Sequence, residues 1–263
     1  MTVSEAIAAS GIDAREARLL LAEVCGFSQA SLAASPEQGI PFEVENAFFE
    51  FSERRKKGEP VAYILGRKEF YGLSLAVNPS VLIPRPETEL LVDLALQKKP
   101  ASMLDLGTGS GAIALAVKFN RPEIRMVAVE ADLSALLTAK RNASRLNLEI
   151  DFRHGRWLAP VAGERFDLIV ANPPYVANGD PHLEELRYEP FGALVSGPDG
   201  LDSIRDIAHA TPAHLVPGAW LLLEHGRGQE AAVRNLLAAA GLESISTWPD
   251  LAGIARVSGG KLK

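Results

Sequence analysis

An apolar, strand-like run from Phe166 to Ala171 leads straight into Asn172-Pro173-Pro174-Tyr175, the segment of this 263-residue chain best equipped for chemistry. Two consecutive prolines stop a strand and hold the backbone extended, so the carbonyls of Asn172 and Pro173 lack ladder partners and are expected to face a crevice. The Asn172 side-chain oxygen and the Pro173 carbonyl could each take one hydrogen of a planar NH2 group. An amide or amidine nitrogen is a poor nucleophile because its lone pair is delocalised, and aim is what it lacks. Positioning alone removes up to roughly 7 to 11 kcal/mol from a barrier in ideal systems. Tyr175 is expected to wall the planar group, exclude water and offer its ring face to a cation. This chemistry needs neither a metal nor a nucleophilic side chain.

A second constellation precedes it. The apolar run Met103 to Leu106 opens into Gly107-Thr108-Gly109-Ser110-Gly111, a strand-to-helix loop of the kind that lets a ligand touch the backbone. Gly107, Gly109 and Ala112 would also satisfy a relaxed dinucleotide fingerprint. Asp105 separates the two readings: a carboxylate there repels a pyrophosphate and welcomes a cationic amino-acid tail, which points to S-adenosyl-L-methionine over a nicotinamide dinucleotide. Glu130 ends the next strand, where a carboxylate can accept from both ribose hydroxyls, while Asp132 reads as the N-cap of the following helix.

These residues need a frame. From Met103 onward strand-like and helical segments alternate: helices at 112–119, 133–146, 201–210 and 229–240, and strands at 103–106, 126–130, 150–153, 167–171 and 219–223, with closing strands around Ile245 and Val257. That alternation predicts an α/β fold, a parallel sheet with helices on both faces. Residues 1–59 read as a small helical domain, with apolar positions such as Ala17, Leu20, Leu21 and Val24 at helical spacing. Residues 60–85 read as a β-hairpin or extended linker rich in β-type residues, and 86–263 as the α/β domain, its first helix set up by Pro84 and Pro86.

The formal charge of −6 argues against a protein that grips duplex DNA non-specifically. The one basic run, Arg54 to Lys57, reads as a solvated helix end, with a partner contact as the alternative. A lone cysteine, Cys25, provides no disulfide or zinc framework. No leader pattern and no membrane-length apolar run stand out, so a cytoplasmic setting is expected.

The residues quoted so far resemble the class I methyltransferases, whose domain is a Rossmann-like seven-stranded sheet. Asn172 to Tyr175 is also similar to the motif of adenine-N6 and guanine-N2 methyltransferases of nucleic acids, the alternative reading. A narrower resemblance, to the protein-(glutamine-N5) methyltransferases of peptide chain release factors, rests on Pro60 to Gly66, Phe70-Tyr71-Gly72 and above all Val81-Leu82-Ile83-Pro84-Arg85-Pro86-Glu87-Thr88-Glu89. Glu189-Pro190, Ala193-Leu194, Gly197 to Leu201 and Glu224-His225-Gly226 with Gln229 add to it. The resemblance implies that Gly107 to Gly111, Glu130, Trp157 and Asn172 contact S-adenosyl-L-methionine. It further implies that Asn172, Pro173, Pro174 and Tyr175 hold the glutamine of a Gly-Gly-Gln loop, and that the helical domain helps dock the release factor. The chain departs from the family pattern at Arg156, where aspartate is usual, at Glu130 in place of a shorter aspartate, and at Ile254-Ala255-Arg256. Those departures imply altered cofactor affinity before loss of function. Retention of the fold and cofactor without turnover is the remaining alternative, against which the intact Asn172 and Pro173 speak.

Overall fold

Thr2 starts the first helix, α1 (Val3–Ala9), with a capping box: its hydroxyl accepts from the Glu5 N–H at 3.2 Å, and the Glu5 carboxylate accepts from the Thr2 N–H at 2.8 Å. Asp13 and Ser28 cap α2 (Ala14–Cys25) and α3 (Gln29–Ala34) with their side-chain oxygens. α4 (Phe42–Lys56) and α5 (Val61–Leu65) each begin directly after a proline. Of the apolar stripe expected on α2, Ala17, Leu20 and Leu21 are buried and share a core with Val3, Leu32, Phe48 and Ile64, whereas Val24 is half-buried. This computed structural model describes all residues from 1 to 263, and they divide into two units, Met1–Arg67 and Lys68–Lys263.

Two features of the first unit bear on the sequence reading. The stretch from Pro60, read as extended, begins with α5, because Tyr63 and Ile64 are buried there and tertiary burial outweighs β propensity; Gly66 at φ 67° ends the helix. The basic run at the end of α4 is largely neutralised by carboxylates. Arg54 pairs with Glu59 at 2.5 Å, Arg55 with Glu16 at 2.7 Å and Lys56 with Glu53 at 2.7 Å.

β1 (Arg67–Phe70), which starts at the last residue of the first unit, and β2 (Leu73–Ala76) form a hairpin around Tyr71 and Gly72, both at positive φ, as a two-residue type I′ turn demands. Next come α6 (Glu89–Lys98), β3 (Ser102–Leu106), α7 (Ala112–Asn120), β4 (Arg125–Glu130), α8 (Leu133–Leu146), β5 (Asp151–His154) and β6 (Phe166–Ala171). The chain closes with α9 (Asp202–Ala210), β7 (Leu215–Glu224), α10 (Glu230–Ala239), β8 (Glu243–Pro249) and β9 (Ala255–Lys261). Tyr71 fastens the hairpin to α6, its N–H donating to Glu89 at 2.9 Å and its hydroxyl to Asp93 at 2.7 Å.

The seven strands of the large sheet lie in the order β5-β4-β3-β6-β7-β9-β8, parallel from β5 to β7 and antiparallel where β9 inserts between β7 and β8. Alternate residues feed the two faces. Met103, Met126, Ala128 and Val170 pack with α6 and α7, whereas Leu104, Leu106, Val127, Val129 and Ile169 pack with α9 and α10. From β3 the chain steps outward through β4 to β5, then returns to β6 on the other side of β3. Where the strand order reverses, the helices leave in opposite directions and a crevice opens beyond the C-terminal strand ends. The glycine loop follows β3, Glu130 ends β4, Asn172 follows β6 and Glu224 ends β7, so the topology gathers all four at that crevice.

Candidate active site

Gly107, Gly109 and Gly111 have φ of 69°, 57° and 85°, a conformation that side chains resist. Two of them lack room as well. A Cβ on Gly107 would come within 3.2 Å of the Trp157 ring, and one on Gly111 within 2.9 Å of Leu115, where α7 packs on the sheet. The loop is also pinned by its neighbours. Gly107 and Thr108 donate N–H to the Val129 carbonyl at 2.9 and 3.0 Å, Gly109 donates to Glu130 Oε2 at 2.8 Å, and Asn142 on α8 donates its amide to the Ser110 carbonyl at 2.9 Å.

Glu130 is therefore busy. Its Oε1 accepts from Ala131 and Asp132 N–H at 2.8 and 3.0 Å while Oε2 holds Gly109. A carboxylate offers about four lone-pair positions, so one remains free, room for a single ribose hydroxyl. The side chain thus bends back onto the backbone that follows it. Asp132 caps α8 as expected, accepting from Ser134 and Ala135 at 2.8 Å.

Asp105 is completely buried, which pushes its carboxyl up to about 7. The Thr108 hydroxyl donates to its Oδ2 at 2.6 Å, while Oδ1 has no partner. It does not line the cavity described below. The sequence reading gave Asp105 the cationic tail of the cofactor; in this structure it lies buried beneath the loop, with one oxygen bracing Thr108 and the other unpartnered.

On the other side of the switch point, Asn172 lines the crevice, its Nδ2 donating to the Thr88 hydroxyl at 3.2 Å and its Oδ1 lacking any protein partner. The Tyr175 hydroxyl donates to Glu224 Oε1 at 3.3 Å, and its carbonyl accepts from Gln229 Nε2 at 3.0 Å. Gln229 Oε1 in turn accepts from Gly226 N–H at 2.8 Å, so one side chain clamps the Asn-Pro-Pro-Tyr turn to the loop after β7. Gly200 lies so close to the Tyr175 carbonyl that no Cβ fits. Glu189, buried, binds the Ile83 N–H at 3.0 Å and forms an ion pair with Arg85, tying the Val81–Glu89 segment to the chain after the turn.

Loop, carboxylate and turn share one cavity of about 640 Å³, within the usual size range of small-molecule sites. It is lined by Gly107, Thr108, Gly109, Ser110, Glu130, Trp157, Asn172 and Pro174. Gly111, Pro173 and Tyr175 do not line it. Tyr175, expected to wall the site, is held by Glu224 through its hydroxyl and is half-buried against the core, which anchors the turn. Charged groups on the cavity wall are Glu130, Asp132 and Asp202 against the single Arg156, itself paired to Asp206 at 2.9 Å. That balance suits a cationic ligand and not a pyrophosphate. Trp157 adds a buried indole N–H with no protein partner, and Arg156 lies 5.6 Å from its ring centre.

Residues 2–66 match the family model of the PrmC N-terminal domain, and residues 86–186 that of the methyltransferase small domain. A release factor glutamine methyltransferase from Neisseria gonorrhoeae is 45% identical over 99% of this chain and 98% of its own length. One from Pseudomonas aeruginosa is 47% identical over 94% of this chain and 91% of its own. The chain belongs to the release factor glutamine methyltransferase family. Its fold extends more widely: a methyltransferase from Pyrococcus furiosus superposes with a TM-score of 0.58 at 17% identity, covering 81% of this chain and 98% of that one.

Within this family frame, the sequence reading quoted Thr88, Glu189, Glu224 and Gln229 as part of the resemblance without giving them work. Each proves to hold the Asn172–Tyr175 turn or its flanks. Asn142 passed unremarked, although asparagine inside a helix is a poor helix former and signals a polar duty. Here that duty is the Ala76 backbone on one side, at 2.7 and 3.0 Å, and the Ser110 carbonyl on the other.

Proposed function

We infer that this chain transfers the methyl group of S-adenosyl-L-methionine to the side-chain amide nitrogen of a glutamine, the one in the Gly-Gly-Gln loop of a peptide chain release factor. The observation that carries this reading is the Asn172 amide, anchored at its nitrogen and unpartnered at its oxygen, on the wall of the cavity that the glycine loop also lines. The wall fits the cofactor: a glycine loop at positive φ, an unpartnered indole N–H at Trp157, a free acceptor position on Glu130 and a carboxylate-rich lining. When bound, S-adenosyl-L-methionine supplies an electrophilic methyl on a sulfonium. The chain's own residues do the aiming. Asn172 Oδ1 accepts one amide hydrogen, which fixes the plane of the NH2 group and removes a large entropic part of the barrier. As the N–C bond forms and the C–S bond breaks, the amide nitrogen sheds one proton to water, leaving N5-methylglutamine and S-adenosylhomocysteine.

Relatives named for release factors support a protein substrate, as does the carboxylate-rich wall, which is ill suited to a nucleic-acid backbone. The helical unit, with its paired basic run, is proposed as a docking element for the release factor, and translation termination places the reaction in the cytoplasm. No helix is long and apolar enough to cross a membrane. The test is methyl transfer in vitro from labelled S-adenosyl-L-methionine to unmodified release factor, beside RNA and DNA. Label confined to the release factor supports the reading; label in nucleic acid would move the chain to the exocyclic-amine alternative.

A further inference from the structure

Gly226 is the joint on which the clamp of the Asn-Pro-Pro-Tyr turn is mounted. Its N–H donates to Gln229 Oε1 at 2.8 Å, its carbonyl accepts from the Gln229 N–H at 3.2 Å, and Gln229 Nε2 donates to the Tyr175 carbonyl at 3.0 Å. A larger residue does not suit the joint: a Cβ there would lie 3.0 Å from Gln229 Oε1 and 3.4 Å from the Tyr175 ring. Glycine is also the residue whose backbone turns most freely, so something beside it must hold it. We propose that His225 does so, as a positioning residue for methyl transfer, with its ring locked in one tautomer by Ser258 and Thr247. The inference deepens the glutamine-amide reading above and rests on it.

His225 directly follows β7 and is completely buried. Its Nδ1 lies 3.0 Å from the Gly226 carbonyl and its Nε2 2.9 Å from the Ser258 hydroxyl, which is in turn 2.8 Å from the Thr247 hydroxyl. The direction of every bond follows from the groups involved. A carbonyl only accepts, so Nδ1 carries the hydrogen. Burial, helped by Arg256, holds the imidazole below its ordinary range and so neutral, against the opposing pull of the Gly226 carbonyl and Glu230. A neutral ring has one N–H, which leaves Nε2 a bare acceptor. Ser258 must donate to it and, with its single hydrogen spent, must accept from Thr247.

Polar side chains are costly to bury, and this line of three adds nothing to the cavity, none of whose lining residues lies on β8 or β9. What the line does is connect Thr247 on β8, through Ser258 on β9, to the Gly226 carbonyl. The His225 N–H also donates to the Arg256 carbonyl at 2.9 Å, so backbone and ring together fix the start of the loop. In the other tautomer a bare Nδ1 would face the carbonyl, acceptor against acceptor. The Gly226 peptide would then turn away and draw Gln229 from the Tyr175 carbonyl. Asn172 stands three residues before Tyr175, so the slack falls on the amide that aims the substrate.

The experiment measures glutamine methylation of intact release factor by the full-length chain for wild type, His225→Asn, His225→Leu, Ser258→Ala and Ser258→Thr. Thermal midpoints and NMR of the His225 ring nitrogens, recognised by their loss in His225→Asn, accompany it. Asn and Leu are nearly equal in size, but only Asn keeps an N–H for the Gly226 carbonyl. A ring that merely filled the core would be better replaced by Leu. Positioning predicts the reverse: kcat of His225→Asn about fivefold or more above that of His225→Leu, with KM for S-adenosyl-L-methionine within a few-fold of wild type in both. The wild-type ring should be protonated at Nδ1 alone. Ser258→Ala should show both tautomers and lower kcat about fivefold, while Ser258→Thr, which keeps the hydroxyl, should retain the wild-type tautomer and most of the turnover. A wild-type ring protonated at Nε2, or kcat in His225→Leu at or above that of His225→Asn, would overturn the proposal. So would wild-type turnover in Ser258→Ala, a comparison that stands even if both His225 variants fail to fold. A wild-type chain that methylates no glutamine would instead remove the reading beneath it, whereas the tautomer is read without any substrate.

Discussion

Asn172 is held by one end of its amide and offers the other, so truncating it should cost alignment and little else. Asn172→Ala is expected to lower kcat about a hundredfold or more while the dissociation constant for S-adenosylhomocysteine stays within a few-fold, as single-turnover kinetics and calorimetry would show. A variant close to wild type in turnover would mean that the acceptor lies elsewhere. Asp105 carries a different expectation. Its carboxyl is raised from 3.8 to about 7 by burial, with Glu130 adding to the rise while Thr108 and the Ala114 N–H oppose it. The folded chain thus binds a proton there more tightly than the unfolded chain does, so stability falls as pH climbs from about 4 through about 7 and levels off above. Asp105→Asn removes that penalty, and denaturant titrations of the cofactor-free protein should show the variant gaining more over wild type at pH 8 than at pH 5. No gain at pH 8 would mean that the carboxylate keeps its charge at little cost. The residue types and spacings of the glycine loop and the Asn-Pro-Pro-Tyr turn were readable because Gly and Pro restrict the backbone wherever they stand. Which face of the loop Asp105 takes was not, because one residue's exposure depends on how α7 packs over β3.

The bounds of α8 stood in the sequence, with Asp132 at one end and Asn147, at φ 53°, at the other, and so did the alternation that builds the parallel sheet. The helical turn α5 did not, since Val61 to Leu65 has the composition of a strand and becomes helical only through the core it joins. The clamps between elements were equally hidden, for Gln229 and the turn it holds are 54 positions apart. Their effect can be measured. Gln229→Leu leaves the Gly226 N–H and the Tyr175 carbonyl without their bridge, at about 1 to 3 kcal/mol for each buried group left unpaired. We expect kcat to fall while S-adenosylhomocysteine affinity changes little, because the clamp grips the turn and not the glycine loop. A variant that loses cofactor affinity first would place the clamp's influence on the wrong side of the switch point.

For the molecule as a whole, the net charge of −6 and the mixed sheet set the class, and the cavity at the strand ends sets the ligand. S-adenosylhomocysteine at about a hundred times its dissociation constant should add about 2.7 kcal/mol of stability to the folded chain, visible as a raised thermal midpoint, and NAD should add none. Equal protection by NAD would contradict the carboxylate-rich wall as the basis of selection. The most direct measurement is mass spectrometry of unmodified release factor after incubation with this chain and S-adenosyl-L-methionine, mapped to the Gly-Gly-Gln peptide. The glutamine is expected to gain the mass of one CH2, and Asn172→Ala to leave it unchanged. An unmodified glutamine in the presence of active, cofactor-bound protein would contradict the assignment of Asn172 as the residue that aims a glutamine amide at the methyl group.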